Sequence, residues 1–368
     1  MNNKKTLYAV TTSLVLSASV MSISMSAYAR PHSSYVAPIA NLTAPVNNCA
    51  WWNVLCHTAY TLSYTAYSIN QLSINITNNA NRYNTQYPIV LVHGVSGFDD
   101  ILGFEYFNGI PSALRAGNAV VYNPNLTTWE SSSARGEQLL DYINNIVLPE
   151  TGATKVHLIG HSQGSPTSRY VAGVSPEIVE SVTSVSGANL GVGVADWVDN
   201  EIVGSNLQDE WELAGNIWGN LIDTLGGNPE YTPNILASNS DISTPGAIAF
   251  NQLFPDGEPS SLCGDGANLV NGVRYYSWGG FGTATHLLDV SDLALMALGE
   301  FASGYWKGQN HDGVIGQCDQ HWGETIRDDY YMNHLDSVNM LFGLVSLIET
   351  NPKTLFKNHA DRLRGMSL

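Results

Sequence analysis

The 368-residue chain is predicted to be an α/β protein, a mostly parallel central sheet with helices on both faces. Three observations carry this expectation. Short, unbroken apolar runs stand at Ile89–Val92 and Val156–Ile159, and runs without alternation are strands buried on both faces. Segments with helical spacing come between such runs. One run leads straight into Gly160-His161-Ser162-Gln163-Gly164, a glycine-flanked turn between a strand and a helix.

Ile89–Val92, ending in His93-Gly94, is the first strand and Ala119–Tyr122 the second. A helix is expected at about Arg135–Val147, where Leu139, Leu140, Ile143, Ile146 and Val147 recur at helical intervals. Val156–Ile159 is the next strand and Gly164–Val174 the next helix. Ser181–Ser186, Val273–Trp278 and Glu324–Arg327 complete the strands. There is no internal repeat.

Residues 189–226 read as a helical insertion. Leu207, Trp211, Ala214, Trp218 and Ile222 form a stripe, widened by Leu213, Ile217, Leu221 and Leu225. Asp209, Glu210, Asn216, Asn220 and Asp223 lie between them. Such an amphipathic helix either packs permanently on the core or acts as a lid over an apolar pocket. Beside the turn at Ser162, the lid reading is preferred.

The N-terminus is organised differently. Lys4 and Lys5, an uncharged apolar stretch from Leu7 to Ile23, and Ala27-Tyr28-Ala29 read as a secretory signal peptide spanning residues 1–29. Residues 30–84 read as an extension, rich in Asn, Thr, Ser and Tyr and without a single acid; the main domain is expected at 85–368. Cleavage would remove two lysines and no acid, taking the formal charge from −17 to −19. So acidic a chain repels nucleic acid, which excludes that class of partner. In an oxidising compartment the four cysteines, Cys49, Cys56, Cys263 and Cys318, are expected to form two disulfides; spacing alone allows three pairings.

The chemistry centres on Ser162. In Gly-x-Ser-x-Gly the glycines let the chain turn sharply, and the serine is forced to the tip. The following helix offers unpaired N–H groups to a developing oxyanion. A serine nucleophile needs a base and an orienting acid, which in this arrangement follow it as acid and then histidine. His286, His311, His321, His334 and His359 are the available bases. His334, beyond the last expected strand, is best placed, and Asp312, in an Asp-Gly turn upstream, suits the orienting role. The N–H groups of Gln163 and Val95 are the candidate oxyanion donors.

Several segments in order resemble the Pseudomonas-type bacterial true lipases (lipase family I). They are Tyr87–Gly94, Arg135–Leu140, His157–Gly164, Arg169–Ala172, Gly272–Trp278, Ile326–Tyr330 and Met332–Asp336. The resemblance runs from about Tyr87 to Leu368. It implies the α/β-hydrolase fold with a helical lid, Asp312 and His334 as acid and base, and a Cys263–Cys318 disulfide. This leaves Cys49 and Cys56 for a local bridge. It further implies a structural Ca2+ held by the carboxylates of Asp289 and Asp336 and the carbonyls of Met340 and Leu344, hard oxygen ligands of the kind calcium prefers. A membrane-anchored lipase foldase and extracellular release through the periplasm are common in such relatives. Three departures stand out: Ser186–Gly191 at the lid hinge, an added His311 before Asp312, and Ser165 in place of a common glycine.

The activity implied is hydrolysis of triacylglycerol esters at an oil–water interface. A short-chain esterase or polyesterase with the same triad is the nearest alternative. A non-catalytic surface or adhesion protein using the extension is another, opposed by the intact triad.

Overall fold

The structure, a computed structural model, describes residues 81–286 and 288–368. The expected signal peptide, residues 30–80 of the extension, Cys49 and Cys56 lie outside the described residues.

Among the described residues nine strands form two sheets. The larger holds seven, in the order β4-β1-β5-β6-β8-β7, with β9 also pairing β8. They are β1 (Ile89–Val92), β4 (Val121–Tyr122), β5 (Val156–His161), β6 (Val179–Val185), β7 (Leu269–Val270), β8 (Val273–Phe281) and β9 (Glu324–Tyr331). All pair in parallel except β7 with β8. The two short strands β2 (Asp100–Ile101) and β3 (Phe104–Glu105) form a separate antiparallel pair.

Successive side chains of a strand point to opposite faces, and two cores result. Ile89 and Leu91 pack with Ile159, Trp278, Phe356 and Ala360 on one face. Val90 and Val92 pack with Leu158, Val182, Leu139 and Val171 on the other. The first face is covered by α1 (Ile110–Arg115) and, at the chain's end, Pro352–Gly365. The second is covered by α2 (Ser132–Tyr142) and by Gly164–Val174. Between those two, α3 spans Leu148–Thr151, so Gly164–Val174 is α4.

The helix expected at 135–147 begins earlier, because Ser131 caps it by accepting from Ala134 N. Its last turn, Ile143–Val147, widens into a π-helical turn. The strand expected at 324–327 continues to Tyr331 and carries the chain up to His334.

Between β6 and β7 the chain forms four helices: α5 (Gly193–Glu201), α6 (Gln208–Leu225), α7 (Ile235–Ile242) and α8 (Thr244–Leu253). The helical insertion therefore runs well past residue 226. The single broad stripe read along α6 is divided in two. Trp211, Trp218 and Ile222 turn inward, whereas Leu213, Ile217, Leu221 and Leu225 are 45–63% exposed; Ala214 also faces outward. The glycines explain which side is seated. A Cβ on Gly215 would stand 2.2 Å from Ile235, and one on Gly219 would stand 2.5 Å from Trp129. These positions let the helix approach its neighbours.

The remaining helices are α9 (Val290–Phe301) and α10 (Pro352–Gly365). Residues 81–84 are bound to the domain: Tyr83 N donates to Gly117 O at 2.9 Å, and Arg82 pairs with Asp361 at 3.1 Å. Cys263 and Cys318 are joined in a disulfide. Among the described residues no helix is long and apolar enough to cross a membrane.

Candidate active site

β5 delivers Ser162 to the C-terminal edge of the sheet, where α/β folds place their sites. Ser162 has φ 55, a left-handed conformation that costs a non-glycine residue about 1 kcal/mol or more. Crowding enforces it. A Cβ on Gly160 would lie 2.1 Å from Gly164 O, and one on Gly164 would lie 2.1 Å from Val92 O. Both glycines of the motif are thus needed for strand, turn and helix to meet. Ser162 N donates to Val185 O at 3.1 Å, and Ser162 O accepts from Ala188 N at 3.1 Å.

Asp312 and His334 are brought together from loops 22 residues apart. His334 Nδ1 donates to Asp312 Oδ2 at 2.7 Å, and both side chains are buried. The other carboxylate oxygen of Asp312 accepts from Val314 N at 3.0 Å and Ile315 N at 2.8 Å. Gly313, at φ 99, makes the turn that aims these two amides. Of the other candidate bases, His311 stacks on Trp306 with ring centroids 4.2 Å apart. His321 contacts Asp328, and His359 lies in the opposite layer against Thr183.

A buried network joins the turn at Ser162, His334 and the loop at Gly94. His161 precedes Ser162, and its Nε2–H donates to His334 O at 3.0 Å. Its Nδ1 accepts from the Tyr106 hydroxyl at 2.6 Å, and that hydroxyl accepts from Gly94 N at 3.1 Å. Each atom has one role, so His161 is a neutral imidazole with its proton on Nε2. Burial, reinforced by the neighbouring His334, pushes its pKa well below the usual histidine range.

The oxyanion candidates stand on either side of Ser162. Val95 follows Gly94, whose Cβ position lies only 2.6 Å from Ser162 Cβ. Gln163 caps α4. Neither N–H finds an acceptor among the described residues. Arg135, fully buried, braces both sides: Nη1 donates to Gln163 Oε1 at 2.7 Å and Nη2 to His93 O at 2.6 Å. His93 is itself neutral, its Nε2 accepting from Leu126 N and its Nδ1 donating to Gly94 O. Burial, with Arg135 beside it, pushes its pKa down to about 3.

The inner face of α6 leans on the oxyanion loop. Trp218 Nε1 donates to Ser96 Oγ at 3.2 Å, and Ser96 N donates to Thr128 O at 3.3 Å. Asp223 accepts from Thr128 N at 2.9 Å and from its hydroxyl. Ser162 itself is only 3% exposed.

The residues expected to hold a metal gather near the base. Asp336 lies two residues beyond His334, and both it and Asp289 are buried. Burial pushes Asp336 up to about 7, with Asp289 and Asp292 adding to the rise. Asp289 Oδ1 caps α9 through Ser291, and Met340 O accepts from Phe342 N at 2.8 Å. Leu344 stands in the next turn. Among the described residues no cluster of three or more acidic, His or Cys side chains forms a metal cage; the expected set has only two carboxylates.

Sequence reading missed Tyr106, His161 as a structural partner, Gln320, and the Asp223 and Trp218 contacts. His161 lies inside the serine motif, which is a usable signal. The others act across long separations, and nothing local marks them.

The turn at Ser162 on the edge of a parallel sheet, with an Asp–His pair beside it, defines a serine hydrolase of the α/β-hydrolase class. A family profile described as the alpha/beta hydrolase fold matches residues 87–211. A triacylglycerol lipase of Vibrio cholerae serotype O1 is 47% identical over 286 residues, covering 77% of this chain and 89% of its own. One of Pseudomonas fragi is 39% identical over 290 residues, covering 77% and 98%. One of Burkholderia plantarii is 36% identical over 316 residues, covering 76% and 86%. The chain belongs to this family, the bacterial triacylglycerol lipases. Among solved structures, the mature lipase of Bacillus licheniformis superposes with TM-score 0.50 at 16% identity, covering 75% of this chain and 91% of that one, a likeness of fold.

Proposed function

We propose that the chain hydrolyses triacylglycerols through an acyl-enzyme on Ser162. His334 Nε2 takes the hydroxyl proton as Ser162 Oγ attacks the ester carbonyl, then returns it to the departing glycerol oxygen. Water, activated by the same histidine, attacks the acyl-enzyme and frees the fatty acid. Asp312 holds the imidazole and favours the imidazolium that forms in each step. The N–H groups of Val95 and Gln163 receive the oxyanion. The observation carrying this reading is the 2.7 Å contact between buried Asp312 and His334, whose backbone is tied to the residue next to Ser162.

The lid reading rests on the burial of Ser162, the contact of Trp218 with Ser96 and the outer apolar face of α6. Each ~100 Å² of that face taken out of water is worth about 2.5 kcal/mol, a gain available only at a lipid surface. The test is hydrolysis rate against acyl chain length, with Ser162→Ala as the blank. Emulsified long-chain triglyceride should be cleaved faster than dissolved short-chain ester; the reverse order would make the chain an esterase.

A structural Ca2+ belongs to the same proposal, held by Asp289 and Asp336 with the carbonyls of Met340 and Leu344. Two buried carboxylates in each other's field, with no ion-pair partner among the described residues, suit a bound dication. The ion would supply charge neutralisation that fixes the loop after His334. Chelation should lower the melting temperature and activity together, with recovery on adding calcium; an unchanged melting curve would remove the metal. The leader-like N-terminus and the family likeness extend the proposal to export, and the likeness to a membrane-anchored foldase. Refolding yield with and without such a chaperone tests the latter.

A further inference from the structure

We infer that Gln320 is a positioning residue that fixes the carboxylate of Asp312. The inference rests on the reading of Asp312 as the orienting acid. Gln320 is 1% exposed and lies two residues past Cys318. Its amide grips both backbone groups of Gly280 in β8: Nε2 donates to the carbonyl at 3.0 Å, and Oε1 accepts from the N–H at 3.0 Å. This bidentate grip fixes the orientation of the amide. The second Nε2 hydrogen then points at Asp312 Oδ2, 3.4 Å away, and at Ile315 O, 3.5 Å away.

Oδ2 is the oxygen that receives His334. Gln320 therefore supplies the only side-chain donor besides His334 that Asp312 has among the described residues. Through it, the loop carrying the acid is referenced to the central sheet. The backbone of Gln320 is held in turn. Its carbonyl accepts from Asn189 Nδ2 at 2.9 Å, and Asn189 Oδ1 accepts from Ser165 Oγ, on the helix behind Ser162, at 2.7 Å. The space for the amide is built in: a Cβ on Gly279 would lie 1.7 Å from Gln320 Oε1.

The chemical consequence follows from geometry. A carboxylate held by a donor anchored to the sheet cannot turn, so Asp312 keeps the imidazole of His334 at one angle. Removing that donor leaves the carboxylate free to rotate and the imidazole less well aimed at Ser162.

Gln320→Met keeps the volume and removes the amide. It should lower kcat about tenfold on a dissolved short-chain ester and leave KM within twofold. Gln320→Asn keeps an amide but is too short to span from Gly280 to Asp312. It should show the same split between kcat and KM and keeps the test open if the Met variant does not fold. A kcat at the wild-type level in the folded variants, or a fall in kcat accompanied by an equal rise in KM, whatever the loss in melting temperature, would overturn the inference. Asp312→Ala run in parallel separates the two claims. Near-full activity there would remove the triad reading itself, whereas an inactive Asp312→Ala with wild-type kcat in the Gln320 variants removes only the role of Gln320.

Discussion

Around Ser162 each functional side chain has several fixed partners, whereas along α6 the partners thin out from one end to the other. Asp312 receives four donors, and one tyrosine hydroxyl joins Gly94 to His161. On α6 the C-terminal half is held by Asp223 on Thr128, by Trp218 on Ser96, and by Asn125 Nδ2 on Gly226 O at 2.6 Å. Toward its N-terminus, Glu210, Leu213 and Ala214 face solvent. The floor of the proposed site is thus preorganised, as charge stabilisation would require. α6, the proposed cover, is anchored at one end, which is the arrangement the proposed lid needs.

The largest expected effect comes from removing the base. His334→Ala should cost about four orders of magnitude or more in kcat, with the melting temperature changed by a few degrees at most. Turnover within tenfold of wild type would show that this floor is not the site.

Tyr106→Phe deletes one oxygen and so tests the preorganisation more finely. It frees Gly94 N and His161 Nδ1, both buried, and should lower kcat about 10- to 100-fold with little change in KM. Activity at the wild-type level would mean the oxyanion loop holds its shape without that hydroxyl.

On the cover, replacing Leu213 and Ile217 together by Ser should leave hydrolysis of dissolved ester unchanged and reduce hydrolysis of emulsified triglyceride several-fold. Equal loss on both substrates would assign these residues to the fold instead of the interface.

Much of the floor was legible in the sequence because its signals are local. Val156–Ile159 and Gly160–Gly164 together specify strand, turn and helix, and the positions of β1, β5, β8 and α4 followed from the same patterning. The Asp312–His334 pair could be named as a candidate because a turn and a strand end constrain where they lie. The face of α6 was misread for a physical reason. Periodicity counts apolar residues, but the seat of this helix is set by Gly215 and Gly219, which allow close approach and look neutral in any hydrophobic pattern. Tyr106, Gln320 and the contact made by Asp223 escaped notice because their partners lie 8 to 95 residues away, and the geometry that joins them exists only after folding.

The smallest effect concerns acid stability of the floor and its surroundings. His157 is buried against Ser181, and burial pushes its pKa down to about 4. Below an unfolded value near 6.5 the unfolded chain takes up this proton and the folded chain does not. His157 therefore destabilises the fold progressively from pH 6.5 down to about 4, by up to about 1.4 kcal/mol per unit. His157→Gln should gain melting temperature relative to wild type at pH 4.5 compared with pH 8. A difference that does not change with pH would mean the imidazole titrates normally in the folded protein.

The most direct test of the whole account is the site of covalent capture. A fluorophosphonate ester should modify Ser162 alone, read by peptide mass spectrometry, and faster in the presence of detergent micelles or lipid that draw α6 away. Labelling should fall by orders of magnitude in His334→Ala. Modification at another serine, or labelling of Ser162 that proceeds equally well without His334, would contradict the assignment of Ser162, His334 and Asp312 as the hydrolytic machinery.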